Sequence, residues 1–279
     1  MDIIRVILLG IIEGVTEFLP VSSTGHLILA HEFLSLKPAS FQNAFDVIIQ
    51  LGAILSVVVL YFNKLNPFSK KDQRGRPAAK DKTTKTLRLW VKVLVGVLPA
   101  AVLGFLFDDW IDAHLFNPRV VAAMLILWGI LIILVEKGKG KNKATPPVQR
   151  VEDIPYGMAL AIGFFQCLAM VPGTSRSAAT IIGAMVLGSS RVAAAEFSFF
   201  LAIPTMLGAT LLKILKNGLA FTAYQWFLVL LGLVVSFLVA AFVIKSFLGY
   251  IKRHDFQAFG YYRIILGLLV FIYFYLVGA

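Results

Sequence analysis

The sequence predicts an all-α polytopic membrane protein with six transmembrane helices and two re-entrant helical hairpins, arranged as an inverted-topology repeat. Of its 279 residues, 59% are hydrophobic and only 15% are charged, whereas soluble domains carry about 25% charged residues. Charged loops interrupt the apolar stretches repeatedly, which indicates several membrane spans rather than one anchor. Two of these stretches are split by a proline and hydroxyl residues, a pattern typical of a hairpin that turns back within the membrane.

The first half of the chain, residues 1–137, opens with one of these predicted hairpins. Each of its arms is shorter than the roughly 20 residues that a helix needs to cross a bilayer. Further along, the loop 63–92 is rich in Lys and Arg, and basic loops favour the cytoplasmic side. The predicted elements of this half are the hairpin 3–36 and spans at about 41–62, 90–107 and 120–135.

A basic cytoplasmic linker at 138–153 precedes the second half, residues 154–279. Its predicted elements are the hairpin 154–187 and spans at about 191–215, 224–245 and 258–277. Placing every basic patch in the cytoplasm puts both termini outside. The first hairpin then enters from the outer face and the second from the cytoplasmic face. Each half has three spans, an odd number, so two similar halves must be inverted relative to each other.

Corresponding residues in the two hairpins support the repeat. Pro20 corresponds to Pro172 at an offset of 152 residues (172 − 20 = 152). The same offset places Ser23 opposite Ser175. Inverted repeats whose broken helices meet near the middle of the bilayer are common in secondary transporters, so the pattern predicts a polar site between the two hairpin turns.

Two acidic residues mark the first hairpin turn. Glu13 and Glu17 are four residues apart, so on a helix their side chains share one face. Ionisable groups inside an apolar segment are costly and indicate function. Two neighbouring carboxylates favour a site for Mg²⁺ or Ca²⁺, and one of them could also serve as a general base. The alternative is a pair of carboxylates that are merely solvated at a helix end.

Hydroxyl side chains and a histidine follow the proline of the same turn. Ser22, Ser23 and Thr24 are residue types that cap the start of a new helix, and a helix N-terminus is a favourable place for a phosphate. His26 lies in the first turn of that helix, where it can face a cavity. The alternatives are hydroxyls that only cap the helix and a hydrogen-bonded core histidine.

The second hairpin turn adds a fixed positive charge. Gly173 permits an unusual backbone turn, and Arg176 carries a planar fork that suits phosphate oxygens. The alternative is an arginine that extends toward the membrane interface, although Arg176 lies at the break rather than at the end of a span. Nearby hydroxyls at Ser175, Ser177 and Thr180 complete a combination that suits a polyanion such as a pyrophosphate.

Through these motifs, and over nearly its whole length, the chain resembles the bacterial undecaprenyl pyrophosphate phosphatase (bacitracin-resistance) family. The resemblance implies an integral membrane phosphatase that converts the C55 isoprenyl pyrophosphate to the monophosphate and phosphate. This reaction recycles the carrier lipid for cell-wall synthesis and confers bacitracin resistance. It also implies the bacterial cytoplasmic (inner) membrane, an active site facing the periplasm or outer side, and a required divalent cation. The residues that carry the resemblance are Glu13-Gly-Val-Thr-Glu17-Phe-Leu-Pro-Val-Ser-Ser-Thr-Gly-His26, Gln166-Cys-Leu-Ala and Pro172-Gly-Thr-Ser-Arg-Ser177.

The resemblance also implies a role for each motif residue. Glu13 and Glu17 would bind the metal or assist proton transfer, and Arg176 would hold the pyrophosphate. Ser23 or His26 would be the nucleophile, with Ser23 favoured and Glu17 or His26 assisting. The implied substrate-binding set is Arg176, Ser175, Ser177, Thr180, Ser22, Thr24 and Gly173.

Other classes of function are less consistent with the sequence. The net charge of +11 could indicate nucleic acid, but the basic residues cluster in loops, where membrane orientation explains them. We therefore expect no nucleic-acid partner. The expected partners are the isoprenyl pyrophosphate lipid and the bilayer, with a homodimer left open. The main alternative function is a polyprenyl-phosphate flippase or another secondary transporter, although transport alone needs no nucleophile.

Overall fold

The computed structural model of the chain is all-helical within the part that it describes. That part comprises residues 1–71, 75, 77, 81–115, 117–141, 145–217 and 221–277, without the side chains of residues 108, 109, 112, 113, 139–141, 213, 216, 217 and 277. The α-helices in chain order are α1 (Asp2–Thr16), α2 (Ser23–Leu34), α3 (Ala39–Leu60), α4 (Phe62–Leu65), α5 (Lys82–Leu115), α6 (Pro118–Lys141), α7 (Tyr156–Cys167), α8 (Arg176–Val186), α9 (Arg191–Asn217), α10 (Ala223–Ile251) and α11 (Gln257–Val277).

Six of the helices within these ranges are long and apolar enough to cross a membrane: α3, α5, α6, α9, α10 and α11. They coincide with the six predicted spans, and this confirms the predicted class of a polytopic helical membrane protein. The largest difference is at α5, a helix of 34 residues that begins before the predicted span 90–107 and continues beyond it. Parts of the predicted basic segments, residues 72–74, 76, 78–80 and 142–144, lie outside the described residues.

The predicted hairpins appear as two pairs of short helices, each joined by a turn. Helices α1 and α2 form the first hairpin, and α7 and α8 form the second. Helix α1 ends at Thr16, with Glu17 as its C-cap, so the helix stops earlier than the predicted arm. The reason is that Pro20 disfavours helical geometry in the residues before it.

Small residues let the helices approach closely where the hairpins pack against the spans. A Cβ added to Gly10 of α1 would lie 2.9 Å from the carbonyl oxygen of Gly232 in α10. A Cβ on Gly163 of α7 would collide with the carbonyl oxygen of Gly96 in α5. Close backbone contact of this kind is how helices associate where lipid removes the hydrophobic driving force. These crossings hold the hairpins in place.

An aromatic core lies directly beside the first hairpin turn. Phe18 is fully buried and meets Phe199 of α9 edge-to-face, with ring centroids 5.1 Å apart. Aromatic pairs of this geometry contribute beyond their buried area. The guanidinium of Arg176 lies over the Phe18 ring, 6.0 Å from its centroid. The core therefore supports the place where the two hairpin turns meet.

Candidate active site

The two hairpin turns meet through an ion pair between Glu17 and Arg176. Nη2 of Arg176 donates a hydrogen bond of 3.0 Å to Oε1 of Glu17, across 159 residues of sequence. Both side chains are largely buried, with exposed fractions of 10% for Arg176 and 4% for Glu17. Charged pairs in such surroundings are strong and geometrically specific. The acidic residue and the arginine that the sequence predicted to face each other are thus in direct contact.

Ser23 is hydrogen-bonded to the second oxygen of the Glu17 carboxylate. It is the first residue of α2, and its hydroxyl donates a hydrogen bond of 2.8 Å to Oε2 of Glu17. This distance is within the range in which a carboxylate can take the proton of an attacking hydroxyl. Glu17 therefore contacts the predicted nucleophile and the predicted phosphate-binding residue at the same time.

The two hairpin turns share an unusual helix cap. Ser22 precedes α2 with a φ of +73°, and Ser175 precedes α8 with a φ of +71°. Each hydroxyl accepts a hydrogen bond from a backbone N–H of its helix, Ser22 from Gly25 and Ser175 from Ala178. Non-glycine residues rarely adopt this left-handed conformation, and it concentrates at functional sites. The predicted pairing of Ser23 with Ser175 is wrong by one residue, because the second turn has one more residue between its proline and its cap.

Arg176 is also held from α9 by Ser198, a residue that the sequence analysis missed. Nη1 of Arg176 donates to the carbonyl oxygen of Ser198 at 2.7 Å. The Thr180 hydroxyl donates to the Arg176 carbonyl oxygen at 2.8 Å, and its oxygen lies 2.7 Å from the hydroxyl oxygen of Ser198. A buried serine in an apolar span gives little signal in sequence. The predicted substrate-binding residue Thr180 therefore supports the arginine in this structure.

The remaining hydroxyls of the predicted substrate-binding set differ in their contacts. Ser177 donates to the carbonyl oxygen of Leu19 in the opposite turn at 2.8 Å, so it joins the two hairpins. Its hydroxyl also lies 3.0 Å from that of Ser175. Thr24 is partly buried in the first turn of α2. Gly173 has a φ of +91°, which confirms that this position needs the conformational freedom of glycine.

Glu13 is the predicted site residue with the most unusual surroundings. It is fully buried one helical turn before Glu17, and neither carboxylate oxygen has a hydrogen-bond partner among the described residues. An unpaired carboxylate in such a place is costly unless a cation or a proton neutralises it. Hard oxygen ligands suit Mg²⁺ or Ca²⁺, so the donor chemistry fits a divalent cation. The described residues contain no group of three or more His, Cys, Asp or Glu that could hold a metal, so water and phosphate oxygens would have to complete the coordination.

The His26 side chain forms its hydrogen bonds with groups other than Ser23 and Glu17. Its Nδ1 lies 2.7 Å from the carbonyl oxygen of Ser22, and its Nε2 lies 2.6 Å from the hydroxyl of Tyr262 in α11. Both ring nitrogens are thus engaged by groups that the sequence analysis had not connected to the site.

Arg263, the next residue of α11, was also missed. It is fully buried, and it donates to the carbonyl oxygens of Pro20 at 3.2 Å, Gly173 at 2.7 Å and Thr174 at 3.0 Å. One guanidinium therefore bridges the backbones of both hairpin turns. A signal was present, because an arginine inside an apolar span indicates function.

The fold and the site together define a class of protein. This is a multi-pass helical membrane protein whose two hairpin turns bring a carboxylate, a serine hydroxyl and a guanidinium into mutual contact. Ser23 and Arg176 are the first residues of α2 and α8. A hydroxyl bonded to a carboxylate, beside a guanidinium and two helix N-termini, is suited to binding a phosphate group and transferring it.

Comparison with known proteins places the chain within this class. Residues 6–269 match the family model described as "Bacitracin resistance protein BacA", and the chain belongs to this family. It is 52% identical over 273 residues to a protein of Enterococcus faecalis named undecaprenyl-diphosphatase, covering 98% of this chain and 97% of that one. It is also 52% identical over 278 residues to undecaprenyl-diphosphatase 1 of Clostridioides difficile, covering 99% of this chain and 97% of that one. An undecaprenyl-diphosphatase of Lactococcus lactis subsp. lactis is 51% identical over 281 residues, covering 98% of this chain and 97% of that one.

Proposed function

We propose that the chain is a membrane phosphatase that hydrolyses undecaprenyl pyrophosphate to undecaprenyl phosphate and inorganic phosphate. The observation that carries this proposal is the bonding of Glu17, which accepts the Ser23 hydroxyl on one oxygen and the Arg176 guanidinium on the other. The names of its full-length relatives support the choice of substrate. Loss of this carrier pyrophosphate is also consistent with the bacitracin resistance in the family description.

In the proposed reaction, the Ser23 oxygen attacks the terminal phosphorus while Glu17 accepts the hydroxyl proton. The bond from that phosphorus to the bridging oxygen breaks, and the isoprenyl monophosphate leaves. Glu17 passes the proton it accepted to the leaving monophosphate. Water then cleaves the phosphoserine ester, returning a proton to the Ser23 oxygen and releasing phosphate. Arg176 stabilises the charge on the transferred group, which is the main requirement of phosphoryl transfer. Phosphate oxygens would replace Glu17 on part of the guanidinium fork and leave the carboxylate free to act as base.

A divalent cation is part of the proposal. Glu13 would hold Mg²⁺ or Ca²⁺, because both of its buried oxygens lack a partner among the described residues. Glu17, one turn further on, would share this task when Arg176 turns to the substrate. When bound, the cation would neutralise phosphate charge and orient the pyrophosphate.

We also propose that the two halves are inverted copies. The two cap serines are 153 residues apart (175 − 22 = 153) and share the same left-handed conformation. Gly10 and Gly163 have the same offset (163 − 10 = 153), and each lies against the carbonyl oxygen of a glycine in a long helix. We further propose that the protein lies in the bacterial cytoplasmic membrane with the site open to the outer side, the orientation that follows from placing the basic segments in the cytoplasm. Association as a homodimer stays a prediction.

A transporter that does not hydrolyse its substrate is the competing function. A broken-helix site would serve either activity. However, transport requires no hydroxyl bonded to a base, whereas Ser23 donates directly to Glu17. The structure therefore favours the enzyme.

Phosphate release from an isoprenyl pyrophosphate in detergent tests the proposed function. We expect the purified protein with Mg²⁺ or Ca²⁺ to release one phosphate per substrate. Glu17→Ala and Arg176→Ala should each reduce release by at least about 100-fold, the scale on which single catalytic groups act.

Matched controls separate this result from general damage to the fold. Glu32 is another acidic residue of the first hairpin, and its only described hydrogen bond is a long one of 3.4 Å from Tyr273. Arg253 is an exposed arginine between α10 and α11. Glu32→Ala and Arg253→Ala should retain activity. Release by the wild-type protein no greater than in detergent alone would reject the proposal, and movement of unchanged substrate across vesicles would support the transporter.

A further inference from the structure

His26 is held at both ring nitrogens by groups of different kinds. The carbonyl oxygen of Ser22, 2.7 Å from Nδ1, can only accept a hydrogen bond. Nδ1 therefore carries the proton, and in the neutral ring Nε2 presents a lone pair. The Tyr262 hydroxyl, 2.6 Å from Nε2, then donates to that lone pair. The two rings are nearly parallel, with centroids 5.6 Å apart and an interplanar angle of 8°.

This arrangement directs His26 away from the reaction. Its Nε2 is occupied by Tyr262, whereas the Ser23 hydroxyl is bonded to Glu17. In this geometry His26 is neither the base for Ser23 nor free to act as a nucleophile. The contact that remains is the one from Nδ1–H to Ser22.

Ser22 is a residue that needs support. Its φ of +73° lies in the left-handed region, a conformation that is costly outside glycine and persists only where the surroundings enforce it. Ser22 immediately precedes Ser23, so the orientation of its peptide decides where α2 begins and where the Ser23 hydroxyl points. The hydrogen bond from His26 to the Ser22 carbonyl fixes that peptide.

In the second hairpin the backbone supports the same conformation. Ser175 has a φ of +71°, and its carbonyl oxygen accepts the Ala179 backbone N–H at 3.0 Å, whereas the equivalent bond from the His26 N–H to the Ser22 carbonyl oxygen is longer, 3.4 Å. The residue at the position of His26, counted from the cap, is Ala179, which has no side-chain donor. A hydrogen bond from a side chain to the carbonyl oxygen of the cap serine therefore occurs in the first turn, which carries the proposed nucleophile Ser23.

We propose that Tyr262 is a positioning residue that acts through His26. The Tyr262 hydroxyl holds the imidazole in its Nδ1–H tautomer, His26 holds the Ser22 carbonyl, and the turn presents Ser23 to Glu17. We call this chain of hydrogen bonds the Tyr262–His26–Ser22 brace. The inference rests on the proposed phosphatase function, and it assigns to α11 a part in aligning the nucleophile.

Tyr262→Phe removes the hydroxyl and keeps the ring. We expect kcat to fall about 3- to 10-fold, the effect of one lost hydrogen bond, with an unchanged KM and a melting temperature within a few degrees of the wild type. The matched control is Tyr261→Phe, because Tyr261 is the preceding, exposed residue with no hydrogen bond to His26; it should behave as the wild type. A purely structural role would instead lower the melting temperature and leave the kcat of the folded protein unchanged.

Nitrogen NMR of ¹⁵N-histidine-labelled protein provides a second readout that does not depend on activity. The chain has four histidines, so His26→Asn identifies the His26 signals. The wild type should show one protonated and one unprotonated ring nitrogen, and Tyr262→Phe should shift the unprotonated one. In the His26→Asn background, Tyr262→Phe should have no further effect on kcat, because the brace is already cut.

These two readouts keep the two proposals apart. If the wild type releases no phosphate, the proposed function fails, and the NMR result alone decides whether Tyr262 holds His26. If the wild type is active, an unchanged kcat and an unchanged Nε2 signal in Tyr262→Phe would overturn the brace. Additive losses in the double variant would overturn it as well.

Discussion

Replacement of Arg263 by lysine should separate the two hairpin turns while keeping the buried positive charge. In the structure, Nη1 of Arg263 donates to the carbonyl oxygen of Pro20, and Nη2 donates to those of Gly173 and Thr174. These acceptors belong to different hairpins, and only a planar fork with several donors reaches both at once. A lysine ammonium is a single point of contact, so it can serve one turn but not both.

The magnitude follows from the carbonyl groups that lose their partner. With the substituted lysine bound to one turn, one or two of the three buried carbonyl oxygens lose a donor, at about 1–3 kcal/mol each. At about 2 kcal/mol for each carbonyl, the loss totals about 2–4 kcal/mol, and the ammonium adds to it because it is more strongly hydrated than a guanidinium and costs more to bury. By the scaling of soluble domains this corresponds to a melting temperature roughly 5–15 °C lower. The kcat should fall further than in Tyr262→Phe, since the Glu17–Arg176 contact depends on the same two turns.

Thermal unfolding in detergent, monitored by tryptophan fluorescence, measures the stability, and phosphate release below the melting temperature measures the activity. The control is Arg253→Lys in the exposed loop between α10 and α11. An Arg263→Lys protein as stable and as active as the wild type would refute the reasoning, because it would mean that one donor suffices to hold both turns.

Three further predictions concern the reaction centre. During turnover the wild type should form an acid-stable phosphoserine detectable by mass spectrometry, whereas Ser23→Ala should form none. An acid-labile adduct in the wild type would instead indicate His26 as the nucleophile, and the absence of an adduct would indicate direct attack by water. Removal of divalent cations by a chelator should abolish phosphate release, and added Mg²⁺ or Ca²⁺ should restore it. Glu13→Gln should require a higher concentration of the cation, because one carboxylate charge is lost. An unchanged metal dependence in Glu13→Gln would exclude this residue as a ligand. Ser177→Ala should lower stability by about 1 kcal/mol in the same unfolding assay, because the bond to the Leu19 carbonyl is lost; an unchanged melting temperature would show that this bond contributes nothing.

The spans and the two turns could be predicted because their signals are local. Long apolar stretches between basic segments indicate membrane helices from composition alone, and all six of them are present in the structure. The breaks at Pro20 and Pro172 follow from the covalent geometry of proline. The ends of α5 and the exact pairing of the cap serines could not be predicted, since helix ends and turn lengths depend on contacts that a local pattern does not contain.

The partners of the predicted site residues were harder to anticipate. Two polar motifs separated by about 150 residues suggested that Glu17 and Arg176 meet, and the ion pair confirms it. The sequence allowed His26 to be the nucleophile, an assistant to Ser23 or a hydrogen-bonded core residue. In the structure its ring nitrogens are hydrogen-bonded to Tyr262 and to the Ser22 carbonyl oxygen.

By itself, the sequence determined that the protein is a helical membrane protein, where its chain turns back, and which acidic, hydroxyl and guanidinium groups lie at those turns, because each of these depends on neighbouring residues. Only the tertiary structure decided what those groups touch. Tyr262 reaches His26 across 236 positions, and Arg263 reaches Pro20 across 243. The packing of α11 against the rest of the bundle brings these residues together, and no spacing within the sequence specifies which side of a helix will face which turn.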